Sequence, residues 1–281
     1  MIFMPEKLRP ATYLHNYTED ILNRFVVGLG APDSQTVEVT HELRKGLKRI
    51  RALVKLIRHK QPDEIYSETN VVLRDWGRIF SDLRDAHVRT EVLGQLSELP
   101  EIKALKSDLI SLSGINRKEI SALKDSLITQ QNKFAWIKQE IESTGKIETY
   151  FEVPELTWED TKAGLEKSFR KSFESYQLAQ KHNHPEDLHE WRKRLKDFQY
   201  QLEFFDHVGN IETHSRLELS TEINEYLGTD QDYFNLSLWL MYHNESFSNQ
   251  ESYSLLMDKI KQLSSDQQKL AFKKAERFYS D

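Results

Sequence analysis

The chain has 281 residues, 38% hydrophobic and 30% charged, with a formal net charge of -6; that length suits two packed units or one elongated helical one, and the acidic balance argues against a general nucleic-acid binder, which is usually basic overall. Zero cysteines exclude disulfides, thiolate metal sites and a cysteine nucleophile, and suit a reducing cytoplasm. The opening MIFMPEKLRP lacks the apolar core of a signal peptide, and no run of ~18 apolar residues occurs, so a cytoplasmic protein with no membrane partner is expected.

Helical periodicity runs through segments 12–29, 35–59, 63–82, 84–98, 101–112, 116–143, 158–183, 187–207, 210–227, 230–246 and 251–279, and no strand-like alternation competes with it. Pro62, Pro100 and Pro185 fall near helix starts, and Gly30, Gly114, Gly145, Gly209 and Gly228 near ends, as the asymmetry between these residues predicts. Trp76, Trp136, Trp158, Trp191 and Trp239 recur with other apolar residues at helical spacing and are expected in the core. The stretch KIETYFEVP, from Lys146 to Pro154, loses the helical period and reads as a linker. Placing the division near Thr149 splits the chain into halves 1–148 and 149–281.

An internal repeat crosses that division. His41 opens HELRKGLK and His189 opens HEWRKRLK, with six of the eight positions identical. FSDLRD, ending at Asp85, and LGTDQD, ending at Asp232, follow the two copies at nearly equal distance.

At about 100° per residue, Leu43, Leu47, Ile50, Leu53, Val54 and Ile57 share one arc of the first helix, while His41, Arg44, Lys45, Lys48, Arg51, Lys55 and Arg58 take the opposite one, with Arg49 at its edge. Like charges at i,i+4 repel by a few tenths of a kcal/mol per pair, so a face of one sign is costly unless an anion neutralises it. His189, Arg192, Lys193 and Lys196 repeat the pattern, with Trp191, Leu195, Phe198 and Leu202 on the apolar side. The second stretch also carries Glu190, Asp197, Glu203 and Asp206; acids on the same helix should cancel part of its field, and the first copy is expected to dominate anion binding. Arg offers a planar donor fork and Lys a mobile point charge, and both suit phosphate oxygens.

These residues resemble the CHAD family, the conserved histidine α-helical domain. His41, Arg44, Lys48, Arg49 and Arg51 are similar to its first motif. DLHEWRKRLKDFQYQLEFF, with His189, Arg192, Lys193, Lys196, Tyr200 and Glu203, is similar to its second. LRDAHV, with Arg84 and Asp85, and LGTDQD resemble its RD segment and the counterpart. The resemblance implies an all-α fold of two pseudo-symmetric antiparallel helical bundles, about four helices each, with a basic groove or pore between them. It further implies non-catalytic binding of inorganic polyphosphate through the two basic faces with Arg84, and association with polyphosphate granules. Asp197 and Gln199 stand where the second motif often carries basic residues, so help from the preceding helix is expected, with Lys162, Lys167, Arg170 and Lys171 as candidates.

Three other readings compete. A metal-dependent phosphohydrolase would need neutral histidines converging with carboxylates, whereas His41 and His189 share their faces with cations; no catalytic residue, metal or cofactor is expected. His182 and His184 in KHNHPED read as a polar turn between helices. Asp85 and Asp232 read as members of a structural ion pair or as helix caps rather than as an acid and a base. A nucleic-acid module would pair the basic stripe with exposed aromatics for stacking, and an acidic protein partner would use the stripe alone.

Overall fold

Amphipathic segments bounded by prolines and few glycines form helices throughout, and no strand occurs among the described residues. The computed structural model describes residues 9–30, 36–144, 146–209 and 213–280; most of the opening segment and Gly145 lie outside them. In chain order the helices are α1 (Pro10–Leu29), α2 (Thr36–Leu56), α3 (Asp63–Ile79), α4 (Ser81–Ser97), α5 (Lys106–Lys124), α6 (Lys133–Thr144), α7 (Lys146–Tyr150), α8 (Trp158–His182), α9 (Pro185–His207), α10 (His214–Tyr242) and α11 (Gln250–Ser280).

The prolines behave as expected, with Pro62 as the N-cap of α3 and Pro185 opening α9. Gly30 caps α1 and Gly209, at φ +90°, follows α9. Gly114 and Gly228 do not end helices: each lies inside a continuous one, α5 and α10. Asn132, at φ 47°, breaks the chain before α6 instead, because Asn tolerates the left-handed region that most residues avoid. The supposed linker is partly helical and is anchored by buried side chains. α7 forms within it, Tyr150 and Phe151 are almost wholly buried, and the Tyr150 hydroxyl donates to the Val54 carbonyl at 2.9 Å.

The helices group into two compact units that cut across the sequence repeat. One comprises residues 1–80 and 132–221, the other 81–131 and 222–281. Each therefore contains chain from both halves.

In the first unit the expected apolar arc of α2 is buried completely, with Ile50, Leu53, Val54 and Ile57 at 0% exposure. α9 goes further than an amphipathic stripe: Gln199, Tyr200 and Gln201 are buried alongside Phe198, Leu202, Phe204 and Phe205. It is a central helix, packed on both α2 and α8. Trp191 meets Tyr176 of α8 at 5.2 Å, and Gln201 donates to the Ala52 carbonyl of α2 at 2.8 Å. Trp76 and Trp191 are core residues, but Trp136 is 41% exposed, its ring covered by Lys133 at 5.4 Å. A lysine stem over an indole face satisfies the ring at the surface.

The second unit has its own core, in which Leu93 and Leu96 of α4, Leu109 and Leu112 of α5, Leu236 and Leu240 of α10, and Leu256 and Ile260 of α11 pack together. The RD segment lies here. Arg84 bonds both Asp85, at 3.2 Å, and Asp232, at 3.4 Å, so the two echoes of the repeat meet in an ion pair.

α8 begins with a capping box in which Thr157 and Asp160 satisfy each other's backbone N–H groups. One turn later Gly164 sits directly on α2, where a Cβ would overlap the Leu56 carbonyl. Helix propensity alone favours Ala over Gly by about 0.5–1 kcal/mol, but overpacking against backbone costs about 1–3 kcal/mol. Gly164→Ala should therefore lower the urea midpoint of unfolding, followed by far-UV circular dichroism. An unchanged or higher midpoint would contradict this close approach.

Candidate functional site

The two basic helices of the repeat lie against each other within the first unit. Arg49 bonds Glu203 at 2.7 Å, and Lys55 bonds Asp197 at 2.5 Å. With the Ala52–Gln201 contact between them, these pairs run in opposite directions along the two chains, so α2 and α9 are antiparallel. Asp197 occupies in the second copy the position of Arg49 in the first, and Glu203 that of Lys55. The two ion pairs thus join the same two repeat positions crosswise. Asp197 and Glu203 neutralise bases of the first copy rather than only those of their own helix.

Beyond Lys55 the contact opens into a cavity of about 290 Å³ lined by Lys55, Arg58, His59, Tyr66, Gly164, Lys167, Ser168, Lys171, Arg194 and Asp197. Because α8 touches α2 at Gly164, its residues three, four and seven positions on share that face, which is how Lys167, Ser168 and Lys171 reach the cavity. Lys167 and Lys171 are exposed and make no ion pair among the described residues. Arg58 stacks on the Tyr66 ring at 4.3 Å, and Arg194 bonds Glu190 at 2.6 Å. Asp160 anchors the rim, bonded to Lys60 at 2.9 Å.

The titrating groups report a positive field. Partial desolvation of its ammonium, reinforced by Arg194, Lys167 and Arg58 and opposed by Asp197, holds Lys171 below an ordinary lysine. Burial also lowers Lys55 in spite of its Asp197 partner. His59 is lowered by burial, opposed by Asp160 and reinforced by Lys60 and Lys167. One acid, already bonded, faces several cations in a concave space, an arrangement suited to holding an anion.

A sequence profile of the CHAD domain matches residues 28–240, a span that includes both basic helices. The chain belongs to the CHAD family. None of the curated proteins matches it.

Within this CHAD domain the residues expected from the motifs separate into groups. Lys55 and Lys171 join the cavity. Lys196 forms a second basic group with Arg192, Lys45 and Arg49: burial first, then Arg192, opposed by Glu203, then Lys45 and Arg49, push it down to about 8. Its ammonium donates to Gln199 at 3.0 Å and lies 5.1 Å from the Tyr200 ring centroid. Arg44 and Arg51 serve the packing of α2 on α3, donating to the Gly77 carbonyl and to Asn70. His41, Lys48, Arg170, His189 and Lys193 are exposed, Lys193 bonded to Glu190 at 2.9 Å. Arg84 belongs to the second unit, in the ion pair already described. His182 bonds Asp187 at 3.0 Å across the turn before α9.

Motif matching misses Arg194 and His59. Arg194 lies off the arc headed by His189, and only its place facing α8 makes it part of the cavity. His59 falls in the short 3-10 turn after α2, where the helical period no longer predicts direction.

Lys196 makes the geometry testable without a ligand. A lysine lowered in the folded state opposes folding while charged: the unfolded chain keeps its proton to about 10.4, whereas the folded one sheds it near about 8. Stability should therefore rise with pH between those values and be fully penalised below the lower one. Lys55 and Lys171 titrate in the same direction, so the quantity to measure is the difference between parent and Lys196→Met. Chemical denaturation at pH 7 and pH 10 should show the parent gaining more than the variant; equal gains would contradict the lowered value.

Proposed function

We propose that this CHAD domain binds inorganic polyphosphate, a long polyanion, without changing it chemically. The observation that carries the reading is the convergence of Lys55, Arg58, Lys167, Lys171 and Arg194, drawn from both repeat copies and α8, on one cavity where cations outnumber acids among the described lining residues. Membership of a family known for polyphosphate binding supports it.

Guanidinium groups offer forked donors to paired phosphoryl oxygens, and ammonium groups follow a chain whose oxygens repeat along its length. The second basic group, with Lys45, Arg49, Arg192 and Lys196, extends the positive surface along the α2–α9 contact. On this reading the protein accompanies polyphosphate granules in the cell. No helix among the described residues is long and apolar enough to cross a membrane.

Binding shared among many charged contacts falls steeply with salt, by the counterion release known for nucleic acids. Titration calorimetry with long-chain polyphosphate at two salt concentrations should show that fall, and a flat response would sink the electrostatic account. Arg58→Glu with Lys171→Glu should weaken binding at least tenfold, since each charged hydrogen bond contributes about 1.5–3 kcal/mol. Single-stranded DNA and an acidic peptide should compete poorly. Phosphorus-31 NMR of the incubated mixture should show the chain intact; released orthophosphate would turn the protein into an enzyme.

A further inference from the structure

The second unit carries a groove that the polyphosphate reading does not use. A short 3-10 segment, Pro100–Leu105, joins α4 to α5, and between these three runs lies a groove floored by Leu93, Ile102 and Leu109. Lys106, Ile110, Ser113 and Arg117 of α5 all line it, at the spacing of a single helix face. Lys103 adds a third cation, and Glu98 is the one acid among the described lining residues. Lys103, Lys106 and Arg117 are exposed and make no ion pair among the described residues. Ile110 stands among them at 63% exposure.

A polyanion has no apolar surface to lay on such a floor. Gly94 of α4 also faces the groove, and a Cβ added there would meet nothing within 4 Å. Glycine inside a helix costs stability relative to alanine, and here no neighbour in the chain takes up the space it leaves. Cations beside exposed apolar side chains in a groove suit an amphipathic helix that carries acids beside its own apolar residues.

α11 presents such a face. Glu251, Leu255, Asp258 and Gln262 have the same spacing as the four residues of α5, and all four are exposed, Leu255 at 44%. Glu251 and Asp258 make no ion pair among the described residues. Lys261 and Lys259 stand to either side of this stripe, the latter bonded to Glu101 at 3.1 Å. With Ile110 set against Leu255, Lys106 and Arg117 each come within one helical turn of Glu251 or Asp258, whether the two helices run parallel or antiparallel. Leu256 and Ile260 hold the other side of α11 in the core of the unit, so the stripe faces outward and the groove that receives it is that of another molecule.

The two surfaces are also neighbours. Ile102 and Lys103 line the groove, while Glu101 beside them bonds Lys259 of α11, so groove and α11 adjoin along the 3-10 segment. A two-fold axis near that segment lets each copy offer its stripe and receive the other's, the closed arrangement commonest among soluble oligomers.

We propose that this face is the interface of a two-fold dimer, in which the α11 stripe of each copy lies in the α4–α5 groove of the other. The inference stands apart from the polyphosphate reading and needs no ligand.

Sedimentation equilibrium without polyphosphate, on the parent and two charge-reversed variants shown to be folded by circular dichroism, tests it. Lys106→Glu with Arg117→Glu leaves groove and stripe both acidic, and Glu251→Lys with Asp258→Lys leaves both basic. The parent should dimerise and each variant alone should be monomeric. An equimolar mixture of the two variants should form a dimer again, because each groove then meets a stripe of opposite sign; variants that had lost their fold would not recover in this way. Gly94→Trp, which fills the groove where the chain leaves space, should also lose the dimer. A monomeric parent, association that continues past the dimer, a dimer kept by any of these variants, or a mixture that stays monomeric overturns the proposal. If the parent is monomeric and Lys106→Glu with Arg117→Glu loses affinity for polyphosphate, the groove belongs to the polyanion instead.

Discussion

Two basic helices cannot lie side by side unless something of the opposite sign lies between them, and the α2–α9 contact meets that constraint with two carboxylates. Arg49–Glu203 and Lys55–Asp197 have side chains only 15–23% exposed, so each charge has lost much of its water. Removing one partner of a buried pair costs about 3–5 kcal/mol because the other charge is left stranded. The repeat makes the solution economical in positions: the first copy puts bases at both, and the second puts acids at the same two. A duplicated helix with identical charges would repel its twin at both contacts.

Everything that shapes the cavity follows from this contact. With α2 and α9 held together, α9 can be covered on its remaining faces, and its buried Gln199 and Gln201 are bonded there rather than solvated. α8 then closes on both helices, and it approaches α2 so nearly because position 164 carries no side chain. The capping box at Thr157 and Asp160 starts α8 one turn earlier, and the same Asp160 holds Lys60 beyond the end of α2. Its carboxyl lies at about 2, burial being outweighed by Lys60 and Thr157. Start, closest approach and rim are thus set by Thr157, Asp160 and Gly164, all within the first two turns of one helix.

What could be read from the sequence was what depends on one helix at a time. The apolar arc of α2, the prolines at helix starts and the pairing of Asp85 with Arg84 all follow from local spacing. What depends on two helices was hidden. Asp197 and Glu203 look like charges that weaken their own helix until the antiparallel register sets them opposite Lys55 and Arg49. The burial of Gln199, Tyr200 and Gln201 exceeds any stripe, because a helix covered on several sides has no solvent face to betray its periodicity. Arg194 points to α8, a neighbour that no spacing within α9 reveals. Gly114 and Gly228 were misread for the opposite reason: a glycine is tolerated inside a long helix when packing on either side continues it.

The cations left over after pairing are the informative ones. Lys171 has Asp197 near it and Lys196 has Glu203, yet desolvation and the surrounding positive charge outweigh those acids and hold both below the ordinary lysine value. That is a standing cost to the folded state, and local rules are broken in this way where a protein has work to do. On the proposed reading, an anion in the cavity would favour the charged form of Lys171 and offset part of the crowding among the cations that line it. The crowding of like charge thus falls on Lys171 where α2, α8 and α9 meet, and on Lys196 along the α2–α9 contact.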